Sequence, residues 1–168
     1  HTKQFEIAHI YFQNYIDKYA ESEFIPNVYL YISKTHLIFS EYDEALKSVK
    51  KSIEHSDKIP ETYKIEAEIY YHKEMYYHAG ESIRKALKMD PTIIEWRHLQ
   101  TRILLLLGEI SKAELNLDGT VDNSSTTAEL LTMLGQSYLK KDKVDSARNY
   151  FEKALKINPE YSQAIEGL

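Results

Sequence analysis

Residues 128–161 read AELLTMLGQSYLKKDKVDSARNYFEKALKINPEY, and this stretch decides the fold that the sequence predicts for the whole chain. Leu131, Leu134 and Tyr138 lie three and four residues apart, which predicts an apolar stripe along one face of a first helix. Gly135 lies beside that stripe, and its lack of a side chain lets a second helix come close. The first part of the stretch therefore predicts a helix that packs tightly against a neighbour.

The second part of the stretch predicts that neighbour. Ala147, Phe151 and Ala154 form a facing apolar stripe at the same helical spacing, and the two alanines leave room for the first helix. Between the stripes, the short polar run 140–143 forces the two helices to run antiparallel. Pro159 then ends the second helix, because proline cannot continue it.

The same pattern recurs three more times upstream, without insertion or deletion between the units. Position 8 of each 34-residue unit is small, and position 20 is alanine every time. The alanines at position 20 are Ala45, Ala79, Ala113 and Ala147. Close packing of helices needs small residues where backbones touch and large ones beside them. We therefore expect these alanines, together with Gly135, Phe151 and Ala154, to pack the repeats.

These offsets resemble those of the tetratricopeptide repeat (TPR) family, whose units are helical hairpins of 34 residues. The resemblance implies an all-α fold, a right-handed α-α superhelix (solenoid) of helix-turn-helix repeats, with residues 1–168 as a single domain. The expected boundaries are 26–59 for repeat 1, 60–93 for repeat 2, 94–127 for repeat 3, 128–161 for repeat 4, and 162–168 for the start of a capping or truncated helix.

Residues 1–25 are expected to be a partial repeat that consists of a second helix. Residues 5–16 align with residues 144–155 without a gap, so that Ala8 matches Ala147. An unpaired helix leaves an apolar face uncovered, which favours a segment of a longer array. A natural terminal cap is the alternative.

Repeat 3, residues 94–127, departs most from the pattern. Arg97 stands at position 4, where the family has a large apolar residue, and Trp96 is expected to supply the missing bulk. After Leu117 the apolar spacing breaks. The break predicts an early helix end followed by an exposed loop.

Three further details make local predictions. Ser111 with Glu114 has the spacing of a capping box for the second helix of repeat 3. Thr126 with Glu129 has the same spacing before the next helix. Glu66 replaces the family's leucine at position 7 of repeat 2, which predicts a looser first helix there.

The composition excludes several classes of function. The chain has no cysteine, and its seven histidines lack the spacing of metal ligands, so we expect no metal site and no cofactor. No phosphate-binding loop or nucleophile motif occurs, which predicts a protein that is not an enzyme. The net charge of −5 disfavours a nucleic-acid partner, and no apolar run is long enough for membrane insertion. Nothing identifies the compartment, although a cytoplasmic location is favoured.

The remaining candidate site is the surface of the first helices. In TPR proteins these helices line a concave groove that binds peptides, so the resemblance implies a protein or peptide partner. The predicted groove residues are Asn27, Tyr31, Lys34, Lys64, Glu68, Tyr71, His98, Arg102, Thr132 and Gln136. We therefore expect a protein–protein interaction scaffold. The alternative is a structural array segment of a longer protein that mediates self-association or positions attached domains.

Overall fold

The computed structural model describes the backbone of residues 2–168 and the side chains of residue 5 and of residues 7–168. Over this range the chain forms helices and turns and no strand, which confirms the all-α fold. The chain divides into two compact units. Unit 1 ends at Pro91, and unit 2 runs from Thr92 to Leu168.

Unit 1 stacks two helical hairpins and one further helix. Its helices are α1 (Thr2–Lys18), α2 (Ile25–Ile38), α3 (Tyr42–His55), α4 (Pro60–His72) and α5 (Tyr76–Met89). Helix α2 pairs with α3, and α4 pairs with α5, while α3 also contacts α4 and α1 contacts α2. Pro26 and Pro60 lie in the first turns of α2 and α4, where the missing amide hydrogen costs nothing.

Unit 2 repeats the arrangement with one short helix. Its helices are α6 (Ile94–Leu106), α7 (Ile110–Asp118), α8 (Ser125–Leu139), α9 (Val144–Ile157) and α10 (Ser162–Glu166). The early end of α7 at Asp118 confirms the break predicted after Leu117. The loop that follows is not wholly exposed, because Thr120 is buried. Trp96 is also buried, as expected for a residue that supplies bulk in place of Arg97.

All four hairpins turn at position 15 of their unit. The residues there are Ser40, Glu74, Gly108 and Asp142, with φ between +57° and +74°. In each turn the next amide donates to the carbonyl five residues earlier, as Glu41 does to His36. This bond satisfies a carbonyl that the helix end would leave unpaired. The shared turn gives the four hairpins one local geometry, although only one of the four residues at this position is a glycine.

Both capping predictions are wrong. Helix α7 follows Glu109 without a side-chain cap, and the Glu114 carboxylate instead accepts hydrogen bonds from the Tyr138 and Tyr150 hydroxyls. Helix α8 is capped by Ser124, whose hydroxyl accepts the Thr127 amide at 3.1 Å. The cap therefore lies two residues before Thr126.

The looser helix predicted at Glu66 is also wrong. Helix α4 is continuous through this position, and the Glu66 side chain is buried. The Ser82 hydroxyl on α5 donates to its Oε2 atom at 2.7 Å. A hydrogen bond between the two helices thus replaces the apolar contact that leucine would make.

Candidate functional site

The residues expected to pack the repeats are all buried. The buried residues are Ala45, Ala79, Ala113, Gly135, Ala147, Phe151 and Ala154. At Gly135 a Cβ atom would lie 2.5 Å from the Phe151 ring, too close for two carbon atoms. Packing of this kind fixes one side of each first helix against its second helix. The other side carries the candidate site.

In unit 1 the two first helices are joined by an ion pair. Helices α2 and α4 are neighbours, and the Lys34 Nζ atom donates to Glu61 Oε1 at 2.7 Å. Within α4, Lys64 pairs with Glu68 at 2.8 Å. All four side chains keep some exposure to solvent. The charges on this surface are therefore neutralised by one another before any partner arrives.

An aromatic cluster lies beside this pair. The Tyr31 ring is more than half exposed and stacks on Phe12 of α1, with centroids 6.3 Å apart and planes 8° apart. Lys34 Nζ lies 5.2 Å from the centre of the same ring. Asn27 on α2 and Tyr71 on α4 are half-buried. Unit 1 thus offers exposed aromatic surface next to paired charges.

Unit 2 repeats the ion pair in the same register. The Arg102 Nη2 atom donates to Glu129 Oε2 at 2.9 Å, joining α6 to α8. In both units, 27 residues separate the two partners. The Arg102 Nε atom is buried and has no hydrogen-bond partner. Gln136 is exposed one turn beyond Thr132 on α8.

Two of the predicted groove residues are not on the surface. His98 and Thr132 are buried, so the prediction that they line a groove is wrong. The His98 Nε2 atom lies 3.3 Å from the Thr120 carbonyl, and the Thr132 hydroxyl donates to the Ala128 carbonyl at 2.9 Å. Both residues occupy position 5, which faces the core. Lys64 occupies the same position but remains partly exposed, because its long stem carries the charge out to solvent.

One contributor to the surface was missed by the sequence argument. Phe12 aligns with the core residue Phe151 when residues 5–16 are set against residues 144–155, and its ring stacks on the exposed Tyr31 ring. The alignment of the α1 sequence with the α9 sequence identifies Phe12 as the counterpart of Phe151. It contained no information about the tyrosine that the ring would contact.

The described side chains were also compared with the arrangement that a metal ion needs. Among them, no group of three or more histidine, cysteine, aspartate or glutamate residues is arranged to hold a metal ion. No helix in the described range is long and apolar enough to cross a membrane.

Comparisons with known proteins agree with the helical repeats. Two models of the tetratricopeptide repeat match the chain, at residues 128–161 and 62–93. A TPR repeat-containing protein of Methanocaldococcus jannaschii is 30% identical over 116 residues, which cover 69% of this chain and 20% of that protein. The chain therefore spans about a fifth of the length of this curated relative.

Two solved structures share the fold. The crystal structure of MamA matches with a TM-score of 0.78 at 20% identity, over 87% of this chain and 80% of that one. YrrB, described as a TPR protein with an unusual peptide-binding site, matches with a TM-score of 0.63 at 18% identity, over 92% of this chain and 96% of that one. At these identities the likeness concerns the fold.

Proposed function

We propose that this chain, which belongs to the tetratricopeptide repeat family, is a protein-interaction scaffold whose first helices bind a peptide or helix of a partner protein. The observation that carries the proposal is the exposed Tyr31 ring beside Lys34 on α2. A tyrosine in this setting buries a large area on binding at little entropic cost. The peptide-binding site named for YrrB lends support by analogy of fold.

The paired charges indicate how such a partner is recognised. Lys34 is bound to Glu61, Lys64 to Glu68, and Arg102 to Glu129. An acidic peptide would have to displace a carboxylate at each cation and would gain little free energy from the exchange. We therefore expect apolar and aromatic anchors in the partner, with a weak dependence of affinity on salt.

The test compares two surfaces of the same chain. A partner is first identified with the whole chain as bait, and its affinity is then measured for three double variants. Tyr31→Ala with Lys34→Ala alters the surface in unit 1, and Arg102→Gln with Gln136→Ala alters it in unit 2. Tyr77→Ala with Arg84→Ala, on the exposed side of α5, is the control.

The expected result is a loss of about tenfold or more for at least one of the two groove variants, as for anchor residues at interfaces. The α5 control is expected to bind as the unaltered chain does. Unchanged affinity for both groove variants would overturn the proposal. An equal loss for the α5 control would locate the interface on the second helices instead.

A further inference from the structure

The ion pairs of the first-helix surface leave Lys140 without a carboxylate. Lys34, Lys64 and Arg102 are each bound to a glutamate on this surface. Lys140, directly after α8, takes part in none of the ion pairs that join the described side chains, and it is exposed. Unlike the paired cations, it can therefore bind an acidic group without first releasing a carboxylate of its own chain.

Lys140 occupies position 13 of its repeat, and this position is exposed in all four hairpins. The residues there are Ile38, His72, Leu106 and Lys140. Ile38 and Leu106 are exposed although another hairpin of the same unit follows each of them. The exposure of position 13 is therefore a property of its place on the first helix, and it does not require the next hairpin to be missing.

An exposed apolar side chain accompanies Lys140 in unit 2. Leu106 is 42% exposed and lies one turn beyond Arg102 on α6. Helices α6 and α8 are neighbours, and the ion pair of Arg102 with Glu129 joins them. The axes of helices that pack side by side are about 8–10 Å apart. Leu106 and Lys140 hold the same position in these two consecutive repeats, so a short segment of a partner can contact both.

We propose that this part of unit 2 recognises a partner segment that combines a large apolar residue with an aspartate or a glutamate. The apolar side chain packs on Leu106, and the carboxylate binds the Lys140 ammonium group. Arg102 does not supply the cation, because Glu129 already binds it. This inference rests on the proposed function, and it specifies the chemistry of the segment that the first helices bind.

The charge around Lys140 favours an acidic segment over a basic one. The turn that follows α8 also carries Lys141, Asp142 and Lys143, all exposed, so its net charge is positive and attracts a carboxylate. Lysines suit the end of a helix in any case, since cations stabilise its C-terminus, but this applies to Lys140 and Lys141 alike. One solvent-exposed ion pair changes the affinity only a few-fold, which is compatible with a weak dependence on salt.

The probe is a phage-displayed library of random peptides, selected on the immobilised 168-residue chain. We expect the selected peptides to be enriched in aspartate or glutamate close to a large apolar residue. Their affinities are then measured by fluorescence anisotropy. Leu106→Asn is expected to weaken binding about tenfold or more, and Lys140→Glu about fivefold. Leu115→Asn, on α7 where the side chain is 78% exposed, and Lys141→Glu are the matched controls and are expected to change the affinity less than about twofold.

The results separate this inference from the proposed function. Peptides that lose affinity with Leu106→Asn but not with Lys140→Glu would refute the acidic contact and leave the scaffold proposal standing. Equal losses for Lys140→Glu and Lys141→Glu would also refute it, because they would reduce the contact to a general attraction by the turn. Selection of no peptide, or of peptides whose affinity none of the variants changes, would count against both proposals. Circular dichroism checks that each variant is folded.

Discussion

The two hairpins of unit 2 close their helix pairs with different chemistry. In α8–α9 the fully buried Phe151 ring occupies the space that Gly135 leaves. In α6–α7 the same two positions hold Thr101 and Leu117, and the Asn116 amide donates to Thr101 Oγ1 at 2.8 Å. The same two positions are therefore filled by glycine and phenylalanine in α8–α9. In α6–α7 they are filled by threonine and leucine, and a hydrogen bond from Asn116 joins the two helices.

The polar hairpin is also the one with the short second helix. Helix α7 has nine residues, whereas α9 has 14. Beyond its end, the Thr120 hydroxyl donates to the Leu117 carbonyl at 3.1 Å, and the Thr120 carbonyl lies against His98. Hydrogen bonds thus fix the loop where α9 continues as helix. Such bonds each contribute little net free energy, so we expect this hairpin to depend less on any single side chain.

The largest effect is expected from Phe151→Ala. Removing a fully buried aromatic ring is expected to destabilise unit 2 by about 3–5 kcal/mol, since the two glycines that touch the ring, Gly135 and Gly167, cannot fill the cavity. Urea unfolding is followed by the fluorescence of Trp96, the single tryptophan, which lies in unit 2. Leu117→Ala is the matched variant in α7 and is expected to cost less. The reverse order would refute the comparison.

Gly135→Ala tests the same contact from the other helix. The added Cβ would meet the Phe151 ring at 2.5 Å, and overpacking of this kind costs about 1–3 kcal/mol. In a Phe151→Leu background the added cost is expected to be small, because Ala67 and Ile83 coexist at these positions in unit 1. A double-mutant cycle measures the coupling. Additive effects would mean that a side chain at position 135 does not collide with the Phe151 ring.

The sequence predicted features that follow from the size of side chains. The recurrence of alanine at position 20 and the glycine at position 135 indicated where the helices come close, and these residues are buried. The backbone conformation within the hairpin turns does not follow from the size of side chains. Ser40, Glu74 and Asp142 adopt the left-handed conformation because the turn requires it, although none of them is a glycine.

The candidate surface was harder to predict than the core. His98 was placed in the groove by its position in the repeat, but the loop after α7 brings the Thr120 carbonyl to it. That loop exists only because α7 ends early. Lys64 and Thr132 share a position as well, and the length of the side chain decides which of them reaches solvent. A repeat pattern gives the helix face but not these local differences.

A smaller effect is expected from Asn116→Ala. The variant loses hydrogen bonds to Thr101 Oγ1 and to the Arg97 carbonyl, at 2.8 Å and 2.9 Å, which together contribute about 1–2 kcal/mol. Asn149→Ala, on the exposed side of α9, is the control and is expected to change the unfolding free energy by less than about 0.5 kcal/mol. Equal effects of the two variants would mean that the Asn116 hydrogen bonds do not stabilise the packing of α7 on α6.

The smallest effect concerns the loop that follows α7, and it depends on pH. The Asp122 carboxylate accepts hydrogen bonds from the Ser124 amide at 3.0 Å, the Ser124 hydroxyl and the Thr127 hydroxyl. The side-chain bonds, with a further contribution from the amide, lower the pKa of Asp122 from 3.8 to about 2. Because the folded pKa is the lower one, the carboxylate stabilises the fold fully above pH 3.8, and this stabilisation is lost as the pH falls through 2.

Asp122→Asn isolates this contribution. The difference in unfolding free energy between the unaltered chain and the variant is expected to be constant near neutral pH and to shrink as the pH falls from 3.8 toward 2. The exposed position of Asp122 keeps the difference small, since water and salt screen its charge. A difference that does not change with pH would mean that the shape of the side chain, and not its charge, orders the loop. In that case the hydrogen bonds that fix the α6–α7 hairpin would end at Thr120, and the charge of Asp122 would not link them to the Ser124 cap of α8.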